Sequence, residues 1–356
     1  MDYTLKPNAT AMTDYYYPDL FPSPCDGGLN IRNSKLLLVI IYCLLFIFGL
    51  LGNGLVILIL VSCKKLRSIT DIYLLNLALS DLLFVFSLPF QAYYHLDQWL
   101  FGTVMCKVVS GLYYIGFFSS MFFITLMSLD RYLAIVHAVY AMKVRTARMG
   151  TGLSLAVWLA TFLATSPLLV FYQVASEDGI LKCYSFYNQQ ALEWKIFIHF
   201  EINTVGLLIP FTIFMFCYIS ILRQLRRCQN RKKIRAIMLV LIVVVATLVF
   251  WVPFNLVLFL TSPAQFAHIG RGCSISQWLS YATHVTETIS FTHCCMNPVI
   301  YAFVGEKFKK HLSEIFQKCY SHFFVYIGRQ IPKEDWGKSS SSHRCSSHSS
   351  SIDYIL

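Results

Sequence analysis

The chain has 356 residues, of which 56% are hydrophobic and only 13% charged, with a formal net charge of +11. That charged share is about half the usual globular value, so the chain cannot cover itself with polar surface, and a water-soluble domain pair is excluded. The positive charge falls mostly in connections assigned below to one face of a membrane, so it is not a nucleic-acid footprint.

Residues 1–35 read as a tail. Residues 1–34 are polar and tyrosine-rich, with no apolar core of a cleavable signal peptide. Asp2, Asp14, Asp19 and Asp26 stand against Lys6 and Arg32, "TDYYYPDLF" sets Tyr15, Tyr16 and Tyr17 among acids, and "NAT" makes Asn8 a glycosylation sequon. A membrane span needs about 20 apolar residues. Seven stretches qualify: 36–63, 72–96, 108–129, 149–174, 202–222, 236–260 and 275–304. Connections 64–71, 131–148 and 223–235 carry 3, 4 and 7 Lys/Arg; 97–107, 176–195 and 262–274 carry 1, 2 and 1. The first set is cytoplasmic by this bias, which places the N-terminus outside, with the first span as its own insertion signal.

Four of the twelve cysteines, Cys25, Cys106, Cys183 and Cys273, fall on the outer side, where disulfides persist. Their three possible pairings stay open at this level. The sequence contains no internal repeat of the kind that marks many transporters. Within the spans, Asp81 and Glu287 are the acids, and Asn53 and Asn297 add buried amides; such groups are costly in a bilayer and are functional candidates. Asn53 is equally well explained as a bond between helices. Pro89, Pro167, Pro210, Pro253 and Pro298 each remove a backbone hydrogen bond and can kink a helix. Stretch 108–129 ends abruptly in the ion pair Asp130–Arg131. After the last span, 305–319 places Phe308, Leu312, Ile315 and Phe316 on one helical face, an amphipathic membrane-surface helix with Cys319 as a palmitoylation candidate. Residues 320–356 form a Ser-rich cytoplasmic tail.

"GNGLVI", "LALSDLL", "DRYLAIVHA", Trp158, Pro210, "FWVPF" and "NPVIY" lie in register across the seven spans. Over about residues 35–318 this pattern resembles a rhodopsin-like G-protein-coupled receptor. "SLPF", "QWLFG" before Cys106, Glu287, and an outer cysteine on both the tail and the third outer loop resemble its chemokine-receptor branch. The resemblance implies an all-α integral membrane protein, a seven-transmembrane helix bundle with a short amphipathic cytoplasmic helix. It implies a plasma-membrane receptor for CC chemokines, CC chemokine ligand 1 foremost, and no enzyme. Such a receptor activates inhibitory-class G proteins, raises cytosolic calcium and drives leukocyte chemotaxis. Receptor kinases and arrestin would act through the Ser-rich tail.

By the same resemblance, Cys106 pairs with Cys183 and Cys25 with Cys273. Sulfated Tyr15, Tyr16 or Tyr17 would meet the basic chemokine body, and Glu287 its N-terminus, in a pocket lined by Tyr42, Tyr94, Tyr113, Tyr114 and Phe254. Asp130 would restrain Arg131, next to Tyr132, until activation, when Tyr218 and Tyr301 meet near Arg131. Trp251, Pro253, Asn297 and Pro298 would carry the change between the two ends. The sequence departs from the family in two places. Gln91 replaces a frequent pocket tryptophan. The sodium ion that many relatives hold would find Asp81 and Ser120 but also His293 and Cys294, and sulfur is a poor ligand for a hard cation; apart from that ion no cofactor is implied. Span seven lacks the lysine a retinal protein needs, and a scavenging receptor without G-protein output is the runner-up, against which "DRYLAIV" stands intact.

Overall fold

The computed structural model describes residues 31–63, 68–177, 179–185, 192–225, 231–266, 273–304, 308–310, 312–313 and 317. Helix α1 (Ile31–Leu58) runs into a π turn at Ile59–Cys63, followed by α2 (Ile69–Leu96), α3 (Gly102–Val136), short α4 (Ala138–Val144) and α5 (Ala147–Phe171). Strands β1 (Tyr172–Glu177) and β2 (Ile180–Ser185) come next, then α6 (Leu192–Asn203), a π turn (Thr204–Leu208), α7 (Ile209–Leu225) and α8 (Arg231–Phe266). Helices α9 (Cys273–Phe291) and α10 (His293–Val304) end the bundle. Residues 1–312 form one compact unit; of the second, 313–356, Ser313 and Gln317 are described, both helical.

Local signals explain several boundaries. Ser68 opens α2 with a reciprocal cap: its Oγ accepts from the Asp71 N–H and its own N–H donates to Asp71 Oδ2, each at 3.2 Å. Thr146 caps α5 by accepting from the Met149 N–H at 3.3 Å. Gly102, at φ +74, makes the turn into α3, a conformation that residues with a Cβ rarely adopt. The π turn at Thr204–Leu208 lies directly ahead of Pro210, whose missing N–H breaks the regular ladder there.

Six helical segments among the described residues are long and apolar enough to cross a membrane. The remaining stretch, 275–304, is interrupted at Thr292, where bonds of three-residue spacing (Thr292 N–H to Ile289 O and Cys295 N–H to Thr292 O, both 3.1 Å) join α9 to α10. The fifth segment runs Ile196–Gln224 and so begins on the outer side of Glu201. Glu201 therefore lies within an apolar segment, whereas the span bounds 202–222 leave it just outside. In the sequence this charge marks the edge of the span, but the helix Leu192–Asn203 continues through it.

Helix α3 is the axis. It packs on α2, α5, α7 and α8, and 67% of its most apolar window is buried, against 28% for α1 and α5. Outward, Phe48, Leu51, Leu155, Leu159, Phe162 and Phe303 are each more than half exposed, a surface suited to lipid rather than water. Inward, Phe84, Phe117, Phe118, Trp251 and Phe291 build the main core. The two central helices touch where Gly116 faces α2: a Cβ there would sit 2.8 Å from the Phe84 Cβ and 2.9 Å from its backbone nitrogen. A Gly116→Ala chain should lose about 1–3 kcal/mol, read as a lower melting temperature after solubilisation. Gly152→Ala, where a Cβ meets nothing within 4 Å, should be neutral or slightly stabilising. Equal melting of the two variants would contradict this packing.

Candidate functional site

At the end of the bundle that the lysine and arginine bias assigns to the outside, a disulfide joins Cys106, in the first turns of α3, to Cys183 on β2, with Cα atoms 5.6 Å apart. The antiparallel hairpin places Val174 opposite Cys183. The segment before α3 is tied to the same hairpin: the Trp99 N–H donates to the Leu181 carbonyl (2.8 Å), and the Leu181 N–H donates to Gln98 Oε1 (3.0 Å). Trp99 is buried and its Nε1 donates to the Gly102 carbonyl at 3.0 Å, which accounts for the "QWLFG" run. Lys107 Nζ reaches the Leu169 and Val170 carbonyls (2.8 and 3.1 Å), satisfying the C-terminal end of α5 where the hairpin begins. Sequence reading found no strand here, because it read 176–195 only as a connection.

Beneath the hairpin lie most of the expected pocket aromatics. Tyr113 packs edge-on to Tyr114 (4.9 Å between centroids) and against Phe84 and Phe291 (5.1 and 5.8 Å). Tyr42 packs on Phe291 (5.1 Å) and His95 (5.2 Å). The Tyr114 and Tyr172 hydroxyls are 3.1 Å apart, and with Phe254 these rings line a cavity of about 80 Å³. Tyr94 lies elsewhere, in a small cluster with Trp99, Cys106 and Val109. Glu287, partly buried on α9, interacts electrostatically with both Tyr42 and Tyr113. Glu201 Oε2 is buried without a hydrogen-bond partner among the described groups. Asn8, Tyr15, Tyr16, Tyr17 and Cys25 lie outside the described residues, as does the side chain of Cys273, so the second pairing has no structural account.

The pocket floor continues inward through stacked rings. Trp251 contacts Phe117 (4.3 Å), His293 (4.9 Å), Phe84 and Phe254 (both 6.2 Å). Pro253 follows on α8, beside Phe254. His293 leads to Asp81, which is fully buried: Ser120 Oγ donates to its Oδ1 (3.0 Å), Asn297 Nδ2 donates to its Oδ2 (2.8 Å), and His293 Nε2 is 3.8 Å from Oδ1. The His293 Nδ1–H donates to the Ser290 carbonyl at 2.7 Å, which leaves Nε2 as the atom turned towards Asp81. The Cys294 thiol instead donates to the Phe291 carbonyl at 3.1 Å. Sodium needs hard oxygen donors. Here Asp81 and Ser120 supply hard oxygens, but an imidazole at His293 and a thiol at Cys294 stand beside them, a donor set poorer in oxygen than that ion prefers. Among the described residues no group of three or more His, Cys, Asp or Glu side chains could hold a metal.

Asn53 has a defined task. Its Nδ2 donates to the Cys294 carbonyl at 2.8 Å and to the Gly49 carbonyl at 3.0 Å. In an uninterrupted helix the Cys294 carbonyl would accept from the N–H of residue 298, and that residue is proline. The amide of Asn53 supplies the donor Pro298 lacks and ties α1 to α10 at that point. A comparable tie joins α2 to α5, where Trp158 Nε1 donates to Asn76 Oδ1 at 2.8 Å.

At the inner end, Asp130 and Arg131 do form the expected pair, at 3.2 Å. Arg131 also donates to the Thr70 hydroxyl, which the cap at Ser68 holds at the start of α2. A third member joins the pair: Arg145 Nε and Nη2 donate to Asp130 Oδ1 and Oδ2 at 2.8 and 3.0 Å, a contact that no motif in the sequence marks. Tyr132 faces away from this cluster, its hydroxyl 3.1 Å from His137 Nε2 and its ring against Phe216 (5.3 Å). Tyr218 and Tyr301 are buried, and neither hydroxyl has a hydrogen-bond partner among the described groups. The Tyr301 ring packs on Phe308 at 6.3 Å.

The Asn53 assignment predicts a non-additive pair. Asn53→Ala should destabilise the solubilised chain by about 1–3 kcal/mol, the cost of an orphaned buried carbonyl. In a Pro298→Ala background, which restores the backbone donor, the same change should cost less than half as much. Equal losses in thermal melts of the two backgrounds would refute the proline account.

Comparison with known proteins gives concordant matches. The model for the 7 transmembrane receptor (rhodopsin family) matches residues 52–301. The chain is 76% identical to C-C chemokine receptor type 8 of Macaca mulatta and 75% identical to that of Homo sapiens, each over 100% of both chains. It is 45% identical to C-C chemokine receptor type 4 of Homo sapiens, over 88% of this chain and 87% of that one. With its bundle, outer disulfide and inner ion pair in the places described, the chain belongs to the rhodopsin family of seven-transmembrane receptors, in the chemokine-receptor branch.

Proposed function

We propose that the chain is a plasma-membrane receptor that captures a CC chemokine outside and activates an inhibitory-class G protein inside. One observation carries the reading most: Arg131, its side chain only 15% exposed, is restrained by Asp130 at the end of the bundle opposite the aromatic pocket and Glu287. A restrained charge at one end and a cavity at the other, joined by packed rings and the Asp81 network, is the arrangement of a two-state transmitter. The relatives' printed names supply the ligand class. Acidic, tyrosine-rich residues 1–34 would attract a basic protein ligand. The flexible N-terminus of that ligand would reach Glu287, whose carboxylate has no lysine or arginine within its own span. Released calcium and directed cell movement follow from inhibitory-class G-protein output. The Ser-rich tail is the substrate for receptor kinases and the arrestin site, since clustered phosphates add dense negative charge.

A panel of CC chemokines scored for calcium release with and without pertussis toxin tests the reading. CC chemokine ligand 1 should give a response that the toxin abolishes, and silence across the panel at full surface display would overturn it. Arg131→Ala should bind labelled chemokine within about threefold of wild type, under about 0.7 kcal/mol, while G-protein activation falls to background. Retained activation at equal display would remove Arg131 from the output role. Glu287→Gln keeps the shape and removes the charge. It should lower the maximal response more than it lowers affinity, whereas replacing Tyr15, Tyr16 and Tyr17 by Phe should weaken capture, most visibly at low salt. If Glu287→Gln lost only affinity and kept the full maximal response, the division between capture and efficacy would be wrong.

A further inference from the structure

The inner cluster distributes the Asp130 carboxylate unevenly. Arg145 takes both oxygens in a fork, Nε on Oδ1 at 2.8 Å and Nη2 on Oδ2 at 3.0 Å. Arg131 has a single nitrogen, Nη2, at 3.2 Å from Oδ2, shares that nitrogen with Thr70, and leaves its Nε buried without a hydrogen-bond partner. Bidentate guanidinium–carboxylate pairs are the stronger and more directional kind. Asp130 therefore spends its better geometry on Arg145 and holds Arg131 by the weaker contact.

Arg145 is placed by the inner connection itself. Its backbone closes α4, donating to the Ala141 carbonyl at 2.9 Å, and Thr146, the next residue, caps α5. The Asp130 side chain is 5% exposed, Arg131 15% and Arg145 30%, so Arg145 is the member of the cluster most accessible from outside the bundle. Around it, Val139, Tyr140 and Met142 of α4 are exposed apolar side chains.

We propose that Arg145 is a positioning residue for the switch at Arg131: by competing for Asp130 it weakens the hold on Arg131 and lets the conformation of α4 set how readily Arg131 is released. The inference rests on the reading of Arg131 as the output residue. Removing the Arg145 guanidinium hands both carboxylate oxygens to Arg131 and deepens the resting state. A protein that presses on α4 and draws Arg145 towards Asp130 does the reverse.

The test is a double-mutant cycle on the full chain in membranes at matched surface density, with CC chemokine ligand 1 as the agonist and nucleotide exchange on G protein as the readout. Arg145→Gln should raise the chemokine concentration for half-maximal exchange about tenfold and lower basal exchange. Arg145→Lys, a point charge without the fork, should shift it by only about threefold. In an Asp130→Asn background, Arg145→Gln should change nothing beyond about twofold, because the shared carboxylate is gone. An equal shift in both backgrounds would show that Arg145 acts by touching the G protein or by folding the loop. A shift to lower chemokine concentration would show that it is a brake. Either result overturns the proposal. Melting of the solubilised receptor supplies the second cycle: the loss from Arg145→Gln should largely vanish when Asp130 is Asn. Coupling in melting without coupling in exchange overturns the proposal alone. A wild-type chain that drives no exchange overturns the functional reading and the proposal with it.

Discussion

Inside a bilayer the polar groups of this chain have only one another for partners, and that constraint organises the bundle. Each proline that breaks a helix creates an orphaned carbonyl, and each buried acid demands donors. The Pro298 gap is met by Asn53 from the first span, with its amide 2.8 Å from the Cys294 carbonyl. Asp81 is met by Ser120 from the third span and Asn297 from the seventh. These bonds connect helices far apart in sequence at the level where α9 gives way to α10. They hold a helix break in place that apolar packing alone would leave unsupported.

The satisfaction is deliberately incomplete at a few positions. Tyr113 OH at the outer pocket, Trp251 Nε1 and His293 Nε2 in the middle, and Arg131 Nε, Tyr218 OH and Tyr301 OH towards the inner end are buried without a hydrogen-bond partner among the described groups. Such groups cost free energy where they stand, and they lie between the proposed ligand pocket and Arg131, the proposed output residue. A second arrangement that paired them would be favoured by that cost, which is what a bistable element requires. Thr161 and Thr165 on α5 are also unpartnered, and nothing in their surroundings connects them to this route.

Much of the architecture was legible in the sequence because membrane physics writes it in long apolar runs and in lysine and arginine bias. The intact motifs at Asp81, Asp130, Trp251 and Asn297 located the polar centre and the inner pair without coordinates. Other features were hidden for identifiable reasons. Arg145 stands fifteen residues from Asp130 across a loop, and no periodicity relates a loop residue to a helix end. Glu201 was read as a boundary because a charge ordinarily ends a span, whereas α6 carries it inward. The role of Asn53 depends on a carbonyl four residues before Pro298, in a span that the sequence alone does not place beside the first. The hairpin of β1 and β2 depends on ties to Gln98, Trp99 and Cys106, all outside its own stretch. Tyr94 has the same composition signal as the pocket tyrosines, yet it packs under Trp99, since helical phase alone does not say which neighbour a ring meets.

Arg131 is too enclosed in the described arrangement for another protein's helix to reach it, so the account requires the inner ends of the bundle to separate when chemokine binds outside. Distance spectroscopy between probes replacing Arg148, exposed at the inner start of α5, and Met238, exposed on α8, measures that separation directly. The account predicts a distribution that lengthens by several ångström when CC chemokine ligand 1 and G protein are both added, and that stays short in the resting receptor. An unchanged distribution in a preparation that is exchanging nucleotide would contradict it.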